Sequence, residues 1–464
     1  MPEAAHIPPA LLQSLQQAAG FNKAAFCAAH HEPAVPSYRI NPFKNFGGIS
    51  FHRRATPVPW CAQGFMLEER PQFIFDPVFH AGGYYVQEAS SMFLEQAFRQ
   101  HAPAAPLCVL DLCAAPGGKT THLLSLLPEN SVLISNEVIK TRTGPLAENI
   151  TKWGVNHVAV SQNDPADFAA LPNTFDVVLA DAPCSGSGLF RKDIAAAGEW
   201  SEANVQLCAQ RQKRILADVW AALKPGGLFI YATCSYSPEE NEDVCNWLMR
   251  EFSPVPLTIA TEPGWGITEV ITAEKAHGYR FWPDKVKGEG FFLSCFRKNG
   301  EYGEPVYFGE KKIRSGFFTP LGKNEQAKLP GWVKLNDQLF LQGEYIVALP
   351  ERLVQLLQQV QPVLNLRLAG CTIGKLTPKE WIPDHALAMN TRSAGAEQVA
   401  ELNLDNALRF LKKENFEPGC SAKGWYLARY GAYNLGWFKH LGNRVNNYYP
   451  AQQRILKDLP KDLS

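Results

Sequence analysis

Between residues 107 and 233, apolar positions fall in short runs at 107–112, 132–136, 157–162, 176–181 and 228–233. Such runs lack the polar alternation of a half-exposed strand, so they read as strands buried on both faces. Stretches of helical period separate them at 119–127, 144–153, 201–223 and 239–252. Strands alternating with helices predict an α/β fold, a Rossmann-like doubly wound sheet with mainly parallel strands. Two further apolar segments, 279–282 and 290–296, would add an antiparallel edge.

The pattern changes on both flanks. Residues 8–28 read as one amphipathic helix, 37–42 alternate like a short strand, and 41–80 mix short apolar pieces with prolines. Residues 82–91 look like a turn and strand entering a helix that runs to about residue 100. Beyond 300 the rhythm is lost. Short β-like pieces are expected in 301–350, helices at 351–360 and 406–414, and strands at 425–430 and 435–439. The expected domains are an α+β unit at 1–76, a core at 77–300, an intermediate unit at 301–395 and a small β-rich module with a basic rim at 396–464.

Charge alters this picture only locally. Forty-five Lys and Arg balance forty-five Asp and Glu, so bulk charge announces no nucleic-acid partner. Between Lys275 and Lys298, however, six basic residues face two acidic ones, and from Asp405 onward ten face five. Either is a basic footprint for RNA or plain solvated surface. The eleven cysteines include no C-x-x-C pair and no Cys/His set at zinc spacing, so no metal is expected. With no signal peptide and an odd cysteine count, a reducing cytoplasm is the expected compartment. No apolar run reaches the length of a membrane span.

The candidate chemistry sits at the strand ends. Asp111-Leu112-Cys113-Ala114-Ala115-Pro116-Gly117-Gly118-Lys119-Thr120 is a strand, a tight turn of small residues and a helix start. Small residues let backbone approach a ligand, and a helix N-terminus favours an anionic group there. A phosphate-binding P-loop would need glycine where Cys113 stands, and Pro116 removes an N–H from the loop. A nucleoside cofactor with an amino-acid tail is therefore favoured over a nucleoside triphosphate. Glu137 follows the second strand, where this fold holds ribose hydroxyls. Asn163-Asp164 follows the third, either as a partner for an adenine amino group or as a plain turn. Asp181-Ala182-Pro183-Cys184 closes the fourth, and Thr233-Cys234-Ser235 closes the fifth. A thiol is nucleophilic enough to attack an electron-poor ring carbon. Ser237 is placed to cap the next helix, with Glu239, Glu240 and Glu242 as first-turn charges favoured by its dipole.

Taken together, residues 111–120, Asp181-Ala182-Pro183-Cys184-Ser185-Gly186-Ser187-Gly188 and residues 232–242 closely resemble the RNA (cytosine-C5)-methyltransferases of the Sun/Fmu type. Tyr85 to Ser91 and Gly288 to Phe292 resemble further segments of that family. The C-terminal end, from Trp425 to Pro450, resembles the PUA-like module of the bacterial RsmF branch, whose members modify 16S ribosomal RNA. The resemblance implies S-adenosylmethionine as methyl donor. Its methionine end would lie on the turn Cys113–Lys119, its ribose on Glu137 and its adenine on Asp164, with Asp181 also lining the site. It implies Cys234 as nucleophile and Cys184 as the residue that releases product. The implied partner is RNA, 16S ribosomal RNA or the small subunit, gripped by residues such as Arg39, Arg280 and Lys285, and the chain is expected to act as a monomer. A transfer-RNA substrate, or an RNA-binding assembly factor that scarcely uses its catalysis, are the competing expectations.

Overall fold

The computed structural model describes residues 7–301, 318–333, 337–392 and 396–459. Its centre is one ten-stranded sheet. In chain order the strands are β1 (Cys108–Asp111), β2 (Val132–Asn136), β3 (Val158–Ser161), β4 (Phe175–Asp181), β5 (Leu223–Thr233), β6 (Val255–Leu257), β7 (Thr268–Ile271), β8 (His277–Phe281), β9 (Phe291–Arg297) and β10 (Leu366–Ala369). Across the sheet they run β7-β8-β9-β5-β4-β1-β2-β3-β10, and β6 also pairs with β9. Strands β1 to β5 are mutually parallel. Antiparallel strands close both edges, β9 beside β5 and β10 beside β3.

The apolar runs lie where their pattern puts them. In β1, Val109 and Leu110 are both fully buried yet belong to opposite cores. One face packs on helices α1 (Gly118–Leu126) and α2 (Lys140–Trp153) through Leu123, Leu124, Leu146 and Ile150. The other packs on α3 (Glu202–Trp220), α4 (Glu242–Phe252) and α5 (Glu351–Val360). In α3 the buried residues Val205, Cys208, Ala209, Gln212, Ile215, Leu216 and Val219 recur at three- and four-residue steps, and Ser201 caps its start by accepting from Asn204 N–H at 3.1 Å. Two pieces of this layer come from beyond residue 300: α5 covers the sheet and β10 extends it. Residues 224–227 form a bulge inside β5, where partner residues jump from Leu223 to Leu228.

Three smaller sheets surround the core. The N-terminal one orders Thr56–Pro57, Gly64–Met66, Ser37–Ile40 and Tyr84–Tyr85, all antiparallel. A five-stranded sheet spans Thr319–Pro320 to Trp381–Pro383. The C-terminal one joins Val399–Glu401, Gly424–Tyr430, Tyr433–His440 and Val445–Asn447. The part of the 301–350 expectation that falls on 302–317 and 334–336 lies outside the described residues. The single helix expected at 8–28 is in fact two, Pro9–Ser14 and Lys23–His30, because Gly20 adopts φ +74° between them.

Arg39 departs most from expectation. Far from gripping RNA, it is 1 % exposed in the N-terminal sheet. Its guanidinium donates to Gln87 Oε1 at 3.0 Å, to Thr121 Oγ1 at 2.7 Å and to Gly118 O at 3.3 Å, and lies 4.6 Å from the Trp153 ring centre. It fastens the N-terminal sheet to the first turn of α1. Arg39→Met would leave these acceptors buried without a donor, so we expect a loss of about 3 kcal/mol in denaturant unfolding. Unchanged stability would mean that water or a neighbouring group satisfies them.

Candidate active site

Strands β4 and β5 are parallel neighbours, with Asp181 opposite Ala232. The segments leaving them therefore start side by side, and they carry the two cysteines of interest. Cys184 Sγ lies 3.1 Å from Cys234 Sγ. Backbone contact holds the loops this close: Gly188 N–H donates to Cys234 O at 2.9 Å, and a Cβ at Gly188 would stand only 2.7 Å from that oxygen. Glycine is required there for approach. The Cys184 thiol is pushed well above its ordinary range, first by its hydrogen bond with Cys234, then by burial and by the charge of Glu240. Both side chains remain partly exposed.

Next to the pair stands an ion pair. Lys119, in the first turn of α1, places Nζ 2.6 Å from Asp181 Oδ2. Burial disfavours its ammonium, but the charge and hydrogen bond of Asp181 outweigh burial, and the Cys234 sulfur pulls the same way, so the lysine pKa is raised.

The remaining acids line the C-terminal edge of the parallel strands. Asp111 ends β1 fully buried, with Oδ2 accepting from Thr120 Oγ1 at 2.6 Å and Oδ1 unpartnered. Burial pushes its carboxyl up to about 7 against that hydrogen bond, and the charges of Asp181 and Glu137 add to the rise. Burial likewise pushes the Cys113 thiol up. Ala114 and Ala115 are buried, Arg142 donates to Ala115 O at 2.6 Å, and Asn149 donates to Pro116 O at 2.8 Å. Gly117 turns the chain into α1 at φ +108°, which a side chain would resist. Glu137, one residue past β2, accepts from Ile139 N–H at 2.9 Å and sits 3.4 Å from Arg142. Asp164 caps the short helical turn Pro165–Ala170 through Ala166 N–H at 3.1 Å, with Arg214 at 3.3 Å. The structure thus shows the turn.

This donor set fits S-adenosylmethionine. Free N–H groups at the start of α1 suit its carboxylate. Acids at four successive strand ends suit its ammonium, sulfonium and hydroxyl groups. Asp111 Oδ1, buried without a hydrogen-bond partner, leaves one acceptor open on this edge.

Several residues read differently from the sequence alone. Ser237 makes no side-chain cap, and residues 238–240 form a 3-10 turn before α4 begins at Glu242. Glu240 is not a solvated first-turn charge but fully buried, accepting from Ser185 N–H at 2.7 Å and Ser185 Oγ at 2.6 Å, and also from Ser235 Oγ. Arg280, expected at an RNA face, is 2 % exposed. It pairs with Glu242 and donates to Tyr236 O at 2.7 Å, because the loop after Cys234 needs buried donors. Lys285 stays exposed, 3.3 Å from Thr268 Oγ1. No helix among the described residues is long and apolar enough to cross a membrane.

Three family models match the chain: 16S rRNA methyltransferase RsmB/F over residues 101–297, the N-terminal domain of 16S rRNA methyltransferase RsmF over 7–89, and the methyltransferase RsmF PUA domain over 397–455. Ribosomal RNA small subunit methyltransferase F of Aliivibrio fischeri (strain MJ11) is 30% identical over 96% of this chain and 97% of its own length. Its counterpart in Aeromonas salmonicida (strain A449) is 32% identical over 92% of each. Among solved structures, a methyltransferase homolog protein from Pyrococcus horikoshii is 28% identical with a TM-score of 0.50, covering 63% of this chain and 100% of its own. NSun6 from Pyrococcus horikoshii, solved with SFG, shares the fold at a TM-score of 0.53 and 19% identity, covering 64% of this chain and 100% of its own. Full-length similarity, the three matched segments in order and the strand-edge site agree: the chain belongs to the RsmB/F family of S-adenosylmethionine-dependent 16S rRNA methyltransferases, in its RsmF branch.

Proposed function

We propose that this enzyme methylates C5 of a cytosine in 16S ribosomal RNA, in the cytoplasm, through a covalent bond between Cys234 and C6 of the base. The observation that carries the reading is the pair of thiols 3.1 Å apart at adjacent strand ends, beside the Lys119–Asp181 pair. An amino-nitrogen acceptor would need no thiol, because its own lone pair can attack. Cytosine C5 has no such lone pair and must first be activated.

Cys234 Sγ attacks C6, forming the S–C6 bond and moving the C5–C6 π electrons toward C5. As C6 is attacked the ring takes a proton from solvent at N3, and Asp181, with Lys119 behind it, accepts a hydrogen bond from that N3–H and so stabilises the adduct. S-adenosylmethionine, which the turn Cys113–Lys119, Glu137 and Asp164 would hold, would supply an electrophilic methyl group to C5 and leave as the neutral thioether when its S–CH3 bond breaks. Once C5 carries the methyl, its proton leaves to a base, the C5–C6 double bond re-forms, and the S–C6 bond breaks to return the Cys234 thiolate. Cys184 assists this release, directly or through a water. The target base must leave its stack, which costs a few kcal/mol in a duplex and favours loops or open RNA.

The test is methyl transfer to naked 16S rRNA, assembled small subunits and bulk tRNA, followed by bisulfite sequencing. A protected cytosine in 16S rRNA is expected. Methylation confined to tRNA, or a methylated product that bisulfite still converts, would overturn the substrate or the position.

A further inference from the structure

Glu240 is fully buried, yet the steps above give it no task. Its carboxylate is a four-point clasp. Oε1 accepts from Ser185 N–H at 2.7 Å and lies 3.5 Å from Gln212 Nε2, while Oε2 accepts from the hydroxyls of Ser185 and Ser235. Ser185 follows Cys184 and Ser235 follows Cys234. One carboxylate therefore binds the residue after each cysteine, across two loops from different strands. The two hydroxyls also meet each other at 3.3 Å. The backbone of Glu240 is pinned in turn, because the buried Tyr231 hydroxyl donates to Glu240 O. Neighbouring Asn241 tightens the same loop, accepting from Thr233 Oγ1 at 2.6 Å and donating to Ser235 O at 2.8 Å.

We propose that Glu240 is the positioning residue of the cysteine pair: its clasp sets the distance between the two sulfurs, and its carboxylate lies on the Cys184 side of the pair, opposite the Lys119 ammonium. The inference rests on the covalent reading of the site. Burial pushes the Glu240 carboxyl up, and the hydrogen bonds from Ser185 and Ser235 pull against it. The groups facing Cys184 are Cys234, Glu240, the Tyr231 hydroxyl and, three residues earlier in its own turn, Asp181. The hydrogen bond with Cys234, burial and the charge of Glu240 disfavour a thiolate on Cys184, against the Gly186 N–H, which favours it. Cys234 instead lies in the field of the Lys119 ammonium. Two thiols at hydrogen-bond distance share one proton most stably when opposite charges flank them in this order. The clasp thus makes two chemically identical side chains unequal before substrate arrives.

Glu240→Gln keeps the size and removes the charge, and it presents an NH2 group to loops that offer only donors. We expect single-turnover methyl transfer to fall about 100-fold, the order lost when reacting groups shift by an ångström, with RNA and cofactor affinities within about twofold. Iodoacetamide alkylation of Cys184 in a Cys234→Ala background, followed by peptide mass spectrometry against pH, reports the proton directly. Adding Glu240→Gln should lower its midpoint by about one pH unit, because a neighbouring negative charge has gone. A wild-type rate, or an unshifted midpoint, overturns the proposal. If Glu240→Gln fails to fold, Ser185→Ala/Ser235→Ala removes the clasp but keeps the charge. It must slow transfer comparably and leave the midpoint in place, and a wild-type rate would again overturn the proposal. RNA carrying 5-fluorocytosine separates the two levels. Failure of the wild-type enzyme to form an adduct sinks the covalent reading, whereas a normal adduct with unaltered variants sinks only the role of Glu240.

Discussion

Cys234→Ala is expected to lower methyl transfer by about 10⁵-fold or more, the order lost when an enzyme loses its nucleophile, and to form no covalent RNA complex. Cys184→Ala is expected to do something different: bind RNA, attack it, transfer the methyl and then stall. Turnover should fall about 10²–10⁴-fold, the range for losing a proton-transfer group, while a protein–RNA adduct accumulates on denaturing gels. The difference follows from geometry. The sulfurs are 3.1 Å apart, so either could reach the same ring carbon with a small shift. Their surroundings are not alike: Lys119 stands by Cys234, whereas the Cys184 thiol is pushed up by its hydrogen bond with Cys234, by burial and by the charge of Glu240. An adduct with Cys234→Ala and none with Cys184→Ala would exchange the roles. No adduct from any variant under methylating conditions would remove the covalent scheme.

The parallel core was legible because its strands are buried on both faces and so read as continuous apolar runs. The ends of β2 match the run at 132–136 residue for residue. The cysteines and the acids were legible for a related reason, since topology places every strand end on one edge and the motifs sit at those ends. What escaped was the use of polar residues inside the protein. Arg39 and Arg280 carry no mark in sequence that separates a buried guanidinium from one that grips RNA. Each is buried among acceptors it satisfies, Gln87 Oε1 and Gly118 O for Arg39, Tyr236 O and the Glu242 carboxylate for Arg280. Glu240 was hidden by its neighbours: a run of acids after Ser-Pro has the composition of a helix start, but the helix begins later, and the preceding 3-10 turn aims Glu240 inward. The helix at 351–360 was legible, but its place against the sheet, and strand β10, escaped for a reason of distance. Nothing in 351–369 states that these residues cross back to cover one face of the sheet and complete the edge beyond β3. That pairing depends on contacts such as Asn365 N–H with Asn163 Oδ1 at 2.8 Å, two hundred residues apart.

Removing either member of the Lys119–Asp181 pair is expected to cost about as much as removing both. Asp181→Asn should lower the chemical step about 10²–10³-fold, the order lost with one preorganised electrostatic group, and leave the RNA affinity nearly unchanged. Lys119→Met should do the same, because Asp181 then faces the ring without its counter-ion. The two groups act as a unit at 2.6 Å, so Lys119→Met/Asp181→Asn should be only a few-fold worse than either alone. Rate against pH adds a sign. In the wild type the Asp181 charge more than offsets burial and holds the Lys119 pKa above the ordinary lysine value. Activity that needs the ammonium is then present below that pKa and is lost only as pH rises through it, beyond the ordinary lysine range. In Asp181→Asn burial acts unopposed by that charge, the pKa falls, and the alkaline limb must move to lower pH. Multiplicative single effects, or an alkaline limb that stays in place, would show that the pair is structural and that Asp181 meets the base without help from Lys119.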